Sequence, residues 1–298
     1  MSMTTRLDPA DNVVTATRTL EAGTAVDDVV TTAIIPRNHK LASREIKAGE
    51  AVRKYAQVIG YATEVIVAGG HVHTHNVEFR NTEEDYEIST DLRPAVPVAE
   101  AARDSFMGYR RENGRVGTRN YIGILTSVNC SATAARMIAS AFGPEEMARY
   151  PNVDGVVAFV HGTGCGMAGQ GEGFEALQRG MWGYARNPNH GGVLMVGLGC
   201  EMNQIDWLLE AYGLKQGPLF KTMNIQDSMG LAKTVETGIA MVREMLPEVN
   251  RATRESCPAS ELMVALQCGG SDALSGVTAN PALGYACDLL VAQGGTGV

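Results

Sequence analysis

The second part of the chain repeats one pattern, an apolar strand followed by a glycine-rich loop and then a helix. From residue 108 onward the apolar segments lie at 121–128, 153–160, 191–200, 219–226 and 261–272. Strands that alternate with helices of about ten to fifteen residues form βαβ units around a largely parallel sheet. We therefore predict an α/β domain over 108–298, with any ligand bound outside the carboxyl ends of its strands.

The first 80 residues follow a different pattern. Short segments rich in Val, Ile, Thr and Tyr lie between glycine turn signals, at 12–20, 24–36, 55–66 and 71–79. This pattern predicts a small, mostly-β N-terminal domain over 1–80, of barrel or clip type. Residues 81–107 are predicted to be a linker, because they are acidic and polar and because Pro94 and Pro97 interrupt regular elements.

Composition restricts the class of protein. The chain has 298 residues, of which 45% are apolar and 19% charged, as in globular proteins of about two domains. With 25 basic and 33 acidic residues the net charge is −8, and no basic stripe favours nucleic acid as a partner. There is no signal peptide and no run of about 18 apolar residues, so we expect a cytoplasmic protein with reduced cysteines and no membrane partner.

Cysteines follow the predicted strands of the second domain, at Cys130, Cys165, Cys200 and Cys268. A parallel sheet would bring all four to one edge, in glycine-rich loops that a ligand can approach closely. Thiolates suit iron, zinc and iron–sulfur clusters, so the four are candidate metal ligands. The alternative for each is packing, since free cysteine is among the most buried residue types.

Histidines and one glutamate supply the candidate catalytic groups. His71, His73 and His75 alternate along a predicted strand, so their side chains would point to one face about 6.5–7 Å apart. Two imidazoles at that spacing can share a metal ion, or one can transfer a proton while its neighbour orients it. His161 and Glu201 lie in the cysteine-containing loops and are further catalytic candidates, although Glu201 also suits a helix N-terminus.

Arginines are concentrated just before the first strand of the second domain, in GYRRENGRVGTRNYIG at 108–123. Guanidinium groups bind carboxylates through two parallel hydrogen bonds. Arg115, Arg119 and Asn120 are therefore candidate ligands for the carboxylate of an acidic small molecule. The alternative is a solvated basic loop.

Motifs across nearly the whole chain add a family resemblance. They are HKLASREIKAGEAVRKYAQVIGYAT (39–63), GGHVHTHN (69–76), GYRRENGRVGTRNYIGI (108–124), FVHGTGCG (159–166), GLGCE (197–201) and CGGSDALSGVTANPALG (268–284). Together they resemble the altronate/galactarate dehydratase family, in which a SAF domain precedes a larger dehydratase region. The chain is similar also to the two-subunit sulfolactate sulfo-lyases. The resemblance implies a hydro-lyase that removes water from a sugar acid, with iron, to give a 2-keto-3-deoxy acid.

The resemblance also implies a division of roles. Lys40, Lys54 and Tyr55 lie in the matched N-terminal motifs and would bind substrate. His73 and His75 would bind the metal or act as acid–base groups. The implied cofactor is a single Fe²⁺, and an iron–sulfur cluster held by the cysteines or another divalent metal is the alternative.

The last residues depart from the family pattern. Members continue beyond the GGT motif, whereas this chain stops at GGTGV (294–298) after DLLVAQ, which reads as an uncovered apolar strand. We therefore predict a chain truncated at its C-terminus, and the uncovered terminus is also compatible with a homo-oligomer. Two alternative functions stay open: a sulfo-lyase acting on sulfolactate, and a non-catalytic fragment or binding subunit.

Overall fold

The computed structural model describes residues 2–81, 87–90, 92–269 and 274–298, which form a mixed α/β structure. Contacts divide the chain into two compact units, Met1–Val96 with Ala265–Leu289, and Pro97–Val264 with Leu290–Val298. The predicted division differs, because it assigns everything after residue 108 to one domain. A sequence pattern shows that a helix follows a strand, but not which core that helix joins.

The first unit is built from short strands within the described residues. They are β1 (Thr4–Thr5), β2 (Val13–Ala16), β3 (Ala25–Val26), β4 (Val29–Val30), β5 (Lys40–Ala42), β6 (Ala51–Lys54), β7 (Gln57–Ala62), β8 (His71–Val72) and β9 (Val77–Glu78). One antiparallel sheet has the order β1-β2-β5-β8, a second has the order β6-β7-β9, and β3 pairs with β4. Strands β1, β5 and β6 fall where the sequence pattern predicts none.

Strand β2 contributes to two hydrophobic cores, because neighbouring side chains of a strand point to opposite faces. Val13 packs in one cluster with Ile46 and Ile66. Val14 packs in another cluster with Leu41. The strand is buried along its whole length, which explains why its sequence is apolar without clear alternation.

The turn between β6 and β7 is strained. Tyr55 and Ala56 have φ angles of 57° and 60°, a left-handed pair that two-residue hairpins normally form with Asn-Gly or Asp-Gly. For residues with a Cβ this conformation costs about 1–2 kcal/mol each. The buried carboxylate of Asp11 accepts the N–H of Ala56 at 2.8 Å, and the neighbouring Asn12 side chain bonds the backbone of the same hairpin.

The second unit combines strands with helices. In the described ranges the strands are β10 (Ser105–Arg110), β11 (Val116–Gly117), β12 (Tyr121–Thr126), β13 (Gly155–Phe159), β14 (His190–Gly197), β15 (Phe220–Asn224), β16 (Glu255–Pro258), β17 (Met263–Val264) and β18 (Thr296–Gly297). The helices are α1 (Ala132–Ser140), α2 (Pro144–Met147), α3 (Glu172–Ala185), α4 (Ile205–Tyr212), α5 (Leu231–Val249) and, beginning in the first unit, α6 (Ala279–Ala292).

The central sheet of the second unit is parallel, with the order β13-β12-β14-β15. Alternate residues of β12 face opposite layers. Ile124 packs with Val242 of α5 in the core that also includes α1. Leu125 packs with Met181 of α3 and Leu208 of α4 in the other. The predicted α/β architecture with a parallel sheet is confirmed in this unit.

A topological switch point lies between β12 and β14. These strands are neighbours, but α1, which follows β12, and α4, which follows β14, pack on opposite faces of the sheet. The loops that leave the two carboxyl ends therefore start toward opposite faces of the sheet, and ligands of such sheets usually bind at this position.

Three local predictions are wrong. The segment 261–272 does not extend the central sheet, since within its described part only β17 is a strand and it pairs with β18. The apolar DLLVAQ lies mostly in helix α6 rather than in a strand, because a short apolar run fits either element. The strand expected over 71–79 is interrupted by a turn at 73–76.

No helix in the described part of the chain has the length and apolar character needed to cross a membrane.

Candidate functional site

The loops at the carboxyl ends of β12, β13 and β14 are bound to one another. The N–H of Asn129 donates to the carbonyl of Thr163 at 2.8 Å. The backbone N–H of Asn203 donates to the carbonyl of Gly164 at 3.3 Å, and its side-chain amide donates to the carbonyl of Ser127 at 2.9 Å. Each loop also carries one exposed cysteine, so the structure brings Cys130, Cys165 and Cys200 to one edge, as predicted from topology.

Close approach of these loops requires glycine. Gly164 has φ of +103°, and a Cβ at this position would lie 2.5 Å from the carbonyl oxygen of Ser127. A Cβ on Gly197 would lie 2.6 Å from Oε1 of Glu201. The glycine-rich composition of the loops therefore allows the backbone to pack tightly at the switch point.

The three thiols interact electrostatically. The pKa of Cys165 is raised above that of an ordinary thiol, first by the charge of Cys130, then by partial desolvation, a hydrogen bond with Cys130 and the charge of Cys200. Without a metal ion the thiol form of Cys165 is therefore favoured. A bound cation would reverse this effect, because a coordinating thiol loses its proton.

Glu201 is a buried structural carboxylate. Its Oε1 accepts hydrogen bonds from Ser127 Oγ at 2.5 Å and from the N–H of Leu198 at 3.1 Å, and its Oε2 accepts the N–H of Gly199 at 2.6 Å. Burial acts to raise the pKa of Glu201, but the hydrogen bonds outweigh it and lower the pKa. The ionised carboxylate joins the loop after β12 to the loop after β14.

Both ring nitrogens of His161 are engaged in hydrogen bonds, one as donor and the other as acceptor. Nε2 donates to the carbonyl of Thr126 at 2.8 Å, which requires Nδ1 to be the acceptor, and Nδ1 faces the N–H of Thr163 at 3.3 Å. The ring also lines a cavity of about 420 Å³ between the sheet and α3, together with apolar side chains such as Phe159 and Met181. A polyhydroxy acid does not suit this apolar lining.

The histidines of the first unit form a cluster with a fourth, unpredicted member. The turn at 73–76, in which Asn76 Oδ1 accepts the N–H of His73, brings together rings that a strand would have spaced apart. Ring centroids lie 5.3 Å apart for His71 and His75, and 5.6 Å apart for His71 and His73. His39 stacks on His73 at 4.8 Å, and its Nδ1 lies 2.9 Å from Nε2 of His71. These four residues, His39, His71, His73 and His75, form the histidine cluster.

Two members of the histidine cluster resist protonation. Burial is the main cause, and neighbouring histidines and the charge of Lys40 add to it, so the pKa of His71 falls to about 4. Burial also lowers the pKa of His39, together with the charges of His73 and Lys40. Near neutral pH, His39 and His71 are therefore uncharged imidazoles, which is the form that accepts a proton or binds a metal ion.

The predicted substrate ligands of the first unit lie next to this cluster. Lys40 lowers the pKa of both His71 and Lys54, although burial is the larger cause in each case. The ammonium of Lys54 lies 4.5 Å above the ring of Tyr55, at the tip of the strained hairpin. Among the described residues, neither lysine has a carboxylate within ion-pair distance.

The predicted substrate ligands of the second unit lie away from the cysteines. Arg115, Arg119 and Asn120 precede β12, whereas Cys130 follows it, so they occupy opposite edges of the sheet. Asn120 is fully buried, and its amide donates to the carbonyls of Asn152 and Val249. Its expected contact with substrate is therefore corrected to a structural role, because its donors are used internally.

Arg115 and Arg119 are exposed at that amino edge. Their guanidinium groups donate to backbone carbonyls, that of Arg115 to Arg186 and that of Arg119 to Thr118. The structure does not bring them to the three cysteines, and their role as carboxylate ligands stays a prediction.

Cys268 falls in the first unit, not with the other three cysteines. The topological argument that placed it beside them is wrong, because its segment is not a strand of the central sheet. Its Sγ accepts a hydrogen bond from the side-chain amide of Asn280 at 3.8 Å.

The donor chemistry fits a transition metal, but the geometry is not preformed. In the part of the chain that is described, no three His, Cys, Asp or Glu side chains are placed to hold one metal ion. The uncharged imidazoles and the cysteine thiols are nevertheless the ligand types that iron accepts. Metal binding at either place would require side chains to rotate.

Three residues of these regions do not appear among the sequence predictions. His39 comes directly before Lys40 in a quoted motif, and it reaches His71 only because β5 pairs with β8. Asp11 precedes β2 and supports the hairpin of Lys54 and Tyr55. Ser127 ends the β12 segment and bonds Glu201. No local spacing signals any of the three, since each contact depends on long-range pairing.

Three family models match successive parts of the chain. The altronate/galactarate dehydratase SAF domain matches residues 3–80. The D-galactarate dehydratase/altronate hydrolase second domain matches 108–250, and the D-galactarate/altronate dehydratase C-terminal model matches 259–298. The predicted SAF domain is thereby confirmed.

Curated relatives agree with these models. Altronate dehydratase of Bacillus subtilis is 34% identical over 297 residues, which is 98% of this chain and 58% of the relative. Galactarate dehydratase (L-threo-forming) of Escherichia coli is 37% identical over 268 residues, 88% of this chain and 51% of the relative. The beta subunit of (2R)-sulfolactate sulfo-lyase of Chromohalobacter salexigens is 30% identical over 200 residues, 64% of this chain and 45% of the relative. The chain thus spans between about half and three fifths of these dehydratases, and the order of its matched domains shows that it belongs to the altronate/galactarate dehydratase family.

Proposed function

We propose that this chain contains the substrate-binding histidine cluster of a hydro-lyase that removes water from a sugar acid of the altronate or galactarate type. The product would be a 2-keto-3-deoxy acid and one molecule of water. The observation that carries this proposal is the gathering of four imidazoles, of which His39 and His71 resist protonation, beside Lys40 and Lys54. The names of the relatives support the same reaction class.

In this proposal the two lysines hold the substrate carboxylate. Burial and then the charge of Lys40 lower the pKa of Lys54, and an anion bound between the two ammonium groups would favour the charged form of Lys54. Removal of the C2 proton places negative charge on the carboxylate, and fixed cations stabilise such developing charge. The lysines would thus contribute to binding and to catalysis at one place.

The exposed histidines carry the proton transfers. We assign His73 and His75 as the acid–base pair, one accepting the C2 proton and the other protonating the departing C3 hydroxyl as water. The resulting enol then tautomerises to the 2-keto acid. His39 and His71 support them from the less exposed side of the cluster, where an uncharged ring can stack on a neighbour without electrostatic repulsion.

The proposed cofactor is Fe²⁺, with ligands from His73 and His75 as the alternative to their acid–base role. When bound, the ion would supply Lewis acidity to the carboxylate and the neighbouring hydroxyl. The cysteine edge of the second unit is the competing place, where Cys130, Cys165 and Cys200 would hold an iron–sulfur cluster. Glu201 and His161 are assigned to supporting the loops, because their hydrogen-bonding groups are engaged within the protein.

An endpoint assay under anaerobic conditions tests the reaction class. The protein, loaded with Fe²⁺, is incubated separately with altronate, galactarate and sulfolactate, and 2-keto acid and sulfite are measured. We expect a 2-keto acid from one of the sugar acids, with the Bacillus subtilis relative as the positive control. Sulfite from sulfolactate would favour the sulfo-lyase alternative.

Calorimetry tests the remaining alternative, a protein that binds a sugar acid without converting it. A non-catalytic binding protein would bind altronate or galactarate without forming product. Neither binding nor product, in protein shown to contain iron, would contradict the proposal for these substrates.

A further inference from the structure

We infer that Asp11 is a positioning residue that holds the Lys54 hairpin in the conformation that presents its ammonium to the substrate carboxylate. The inference rests on the proposed function, since it takes Lys54 as a substrate ligand. Asp11 itself would touch no substrate, because its side chain is buried and bonds the protein backbone.

Hydrogen bonds hold both the side chain and the backbone of Asp11. Only 2% of its surface is exposed, and its Oδ1 accepts the N–H of Ala56 at 2.8 Å. Its carbonyl accepts a hydrogen bond from Arg6 at 2.7 Å, which fixes the backbone from which the carboxylate projects. A buried carboxylate with a fixed backbone is a rigid anchor for the turn that it contacts.

The turn requires such an anchor. Tyr55 and Ala56 both have left-handed φ angles, although neither is the Gly, Asn or Asp that adopts them readily. Without the hydrogen bond to Asp11, the chain would relax toward ordinary φ values and the tip of the hairpin would turn. Strained residues of this kind persist only where surrounding structure enforces them, and they are concentrated at functional sites.

The hairpin carries Lys54 and Tyr55, which are both predicted substrate ligands. Lys54 precedes the strained pair, and its ammonium lies over the ring of Tyr55, so rotation of the turn would displace both side chains. The ring of Tyr55 also lies close to Gly276. The carboxylate of Asp11 accepts a backbone N–H and lies outside ion-pair distance of Lys54, and its charge only partly offsets the burial and the Lys40 charge that lower the pKa of Lys54. The ammonium therefore stays available to an external anion.

The neighbouring Asn12 supports the body of the hairpin rather than its tip. Its amide donates to the carbonyl of Ala51, and its Oδ1 accepts the N–H of Arg53. Both contacts lie in β6, none of whose residues has a positive φ angle. Loss of Asp11 should therefore change the tip while β6 stays paired, and the domain should remain folded.

Two measurements on the full chain test the inference. The first is galactarate and altronate binding by calorimetry, and the second is hydrogen exchange of the Ala56 amide by NMR. We expect Asp11→Ala to weaken binding about tenfold or more and to speed exchange at Ala56. Asp11→Asn, which keeps an acceptor oxygen, should retain most of the affinity. The double variant Asp11→Ala/Ala56→Gly should recover much of it, because glycine adopts the left-handed conformation without strain.

The controls separate this inference from the proposed function. Asp28→Ala, an exposed aspartate in the same domain, should bind like the wild type. If Lys54→Met abolishes binding while Asp11→Ala does not weaken it, the inference is wrong and the proposed function stands. If Lys54→Met binds normally, the role of the hairpin in substrate binding is wrong and the inference falls with it. Failure of Ala56→Gly to restore Asp11→Ala would also overturn it.

Discussion

The histidine cluster and the cysteine edge both contain metal-binding side chains, but they differ in how the protein uses its polar groups. At the cysteine edge, Glu201 and His161 are hydrogen-bonded within the protein, and they hold three loops together. In the histidine cluster the rings mainly contact one another, and the adjacent Lys40 and Lys54 have no carboxylate partner among the described residues. Glu201 and His161 are thus engaged within the protein, while the three thiols of the cysteine edge are exposed and Oδ1 of Asn203 is buried there without a hydrogen-bond partner in the described part of the chain. The histidine cluster differs in that its candidate acid–base groups, His73 and His75, are exposed.

Proximity of such side chains alone therefore does not identify a reactive site. Both places have the residue types expected of a metal enzyme, and both lie where loops or turns bring distant residues together. What separates them is how fully the candidate acid–base groups are bonded within the protein, because a ligand gains free energy only from groups that it can still bond. We therefore assign substrate chemistry to the histidine cluster and a supporting role to Glu201 and His161.

The largest expected effect is on catalysis. His73→Ala and His75→Ala should each lower kcat by about 10²–10⁴-fold, the usual contribution of a general acid or base. The matched control is His190→Gln, in which the ring that is lost bonds a backbone carbonyl in the second unit. Steady-state kinetics measures these effects. Loss of turnover in Cys165→Ser, with turnover intact in His73→Ala and His75→Ala, would contradict the assignment of catalysis to the histidine cluster.

Removal of the buried carboxylate should destabilise the second unit. Glu201→Ala leaves the hydroxyl of Ser127 and the N–H groups of Leu198 and Gly199 without their acceptor, so we expect the free energy of unfolding to fall by about 3 kcal/mol. Urea denaturation measures this. Glu172→Ala, on the exposed start of α3, should change it by less than about 0.5 kcal/mol. Equal losses for both variants would mean that Glu201 is not an anchor.

The close packing of the cysteine loops gives a matched glycine pair. Gly164→Ala places a Cβ 2.5 Å from a carbonyl oxygen in a left-handed conformation, which should cost about 2 kcal/mol of stability. Gly166→Ala meets no atom within 4 Å and should be close to neutral. Thermal unfolding of the two variants measures the difference. An unchanged melting temperature in Gly164→Ala would show that these loops are not tightly packed.

The smallest effect is the pH dependence of stability in metal-free protein. The pKa of His71 is about 4 when folded and 6.5 when unfolded, so the unfolded state binds more protons between these values. The stability present above pH 6.5 is therefore lost as the pH falls toward 4. His71→Gln should flatten this part of the melting-temperature profile, while a slope identical to wild type would contradict the low pKa.

Sequence reasoning predicted the second unit better than the first. The strand–loop–helix pattern located β12, β13 and β14 and the three cysteines at their carboxyl ends, because such units are local in sequence. The order of residues along β12 also implied that Arg119 and Cys130 lie at opposite edges, a separation of about 20 Å for six residues. A single small-molecule site within this unit therefore does not contain both groups.

The histidine cluster was harder to predict, for physical reasons. His39 reaches His71 through antiparallel pairing of β5 with β8, across 32 positions of sequence. The turn at 73–76 rather than a strand gathers the other rings, and Asn76 holds it by a hydrogen bond that no periodic pattern signals. Motifs supplied the candidate residues, and tertiary pairing determined which of them meet.

X-ray absorption at the iron edge tests the central assignment most directly. The protein is loaded with Fe²⁺ under anaerobic conditions, and the nearest ligand shell is measured in the wild type and in His73→Ala/His75→Ala. We predict nitrogen and oxygen neighbours without a sulfur shell in the wild type. The double variant loses its bound iron if His73 and His75 are the ligands, and it keeps the iron if they are the acid–base pair. A shell of sulfur neighbours that persists in the double variant would place the iron at Cys130, Cys165 and Cys200 and contradict the account.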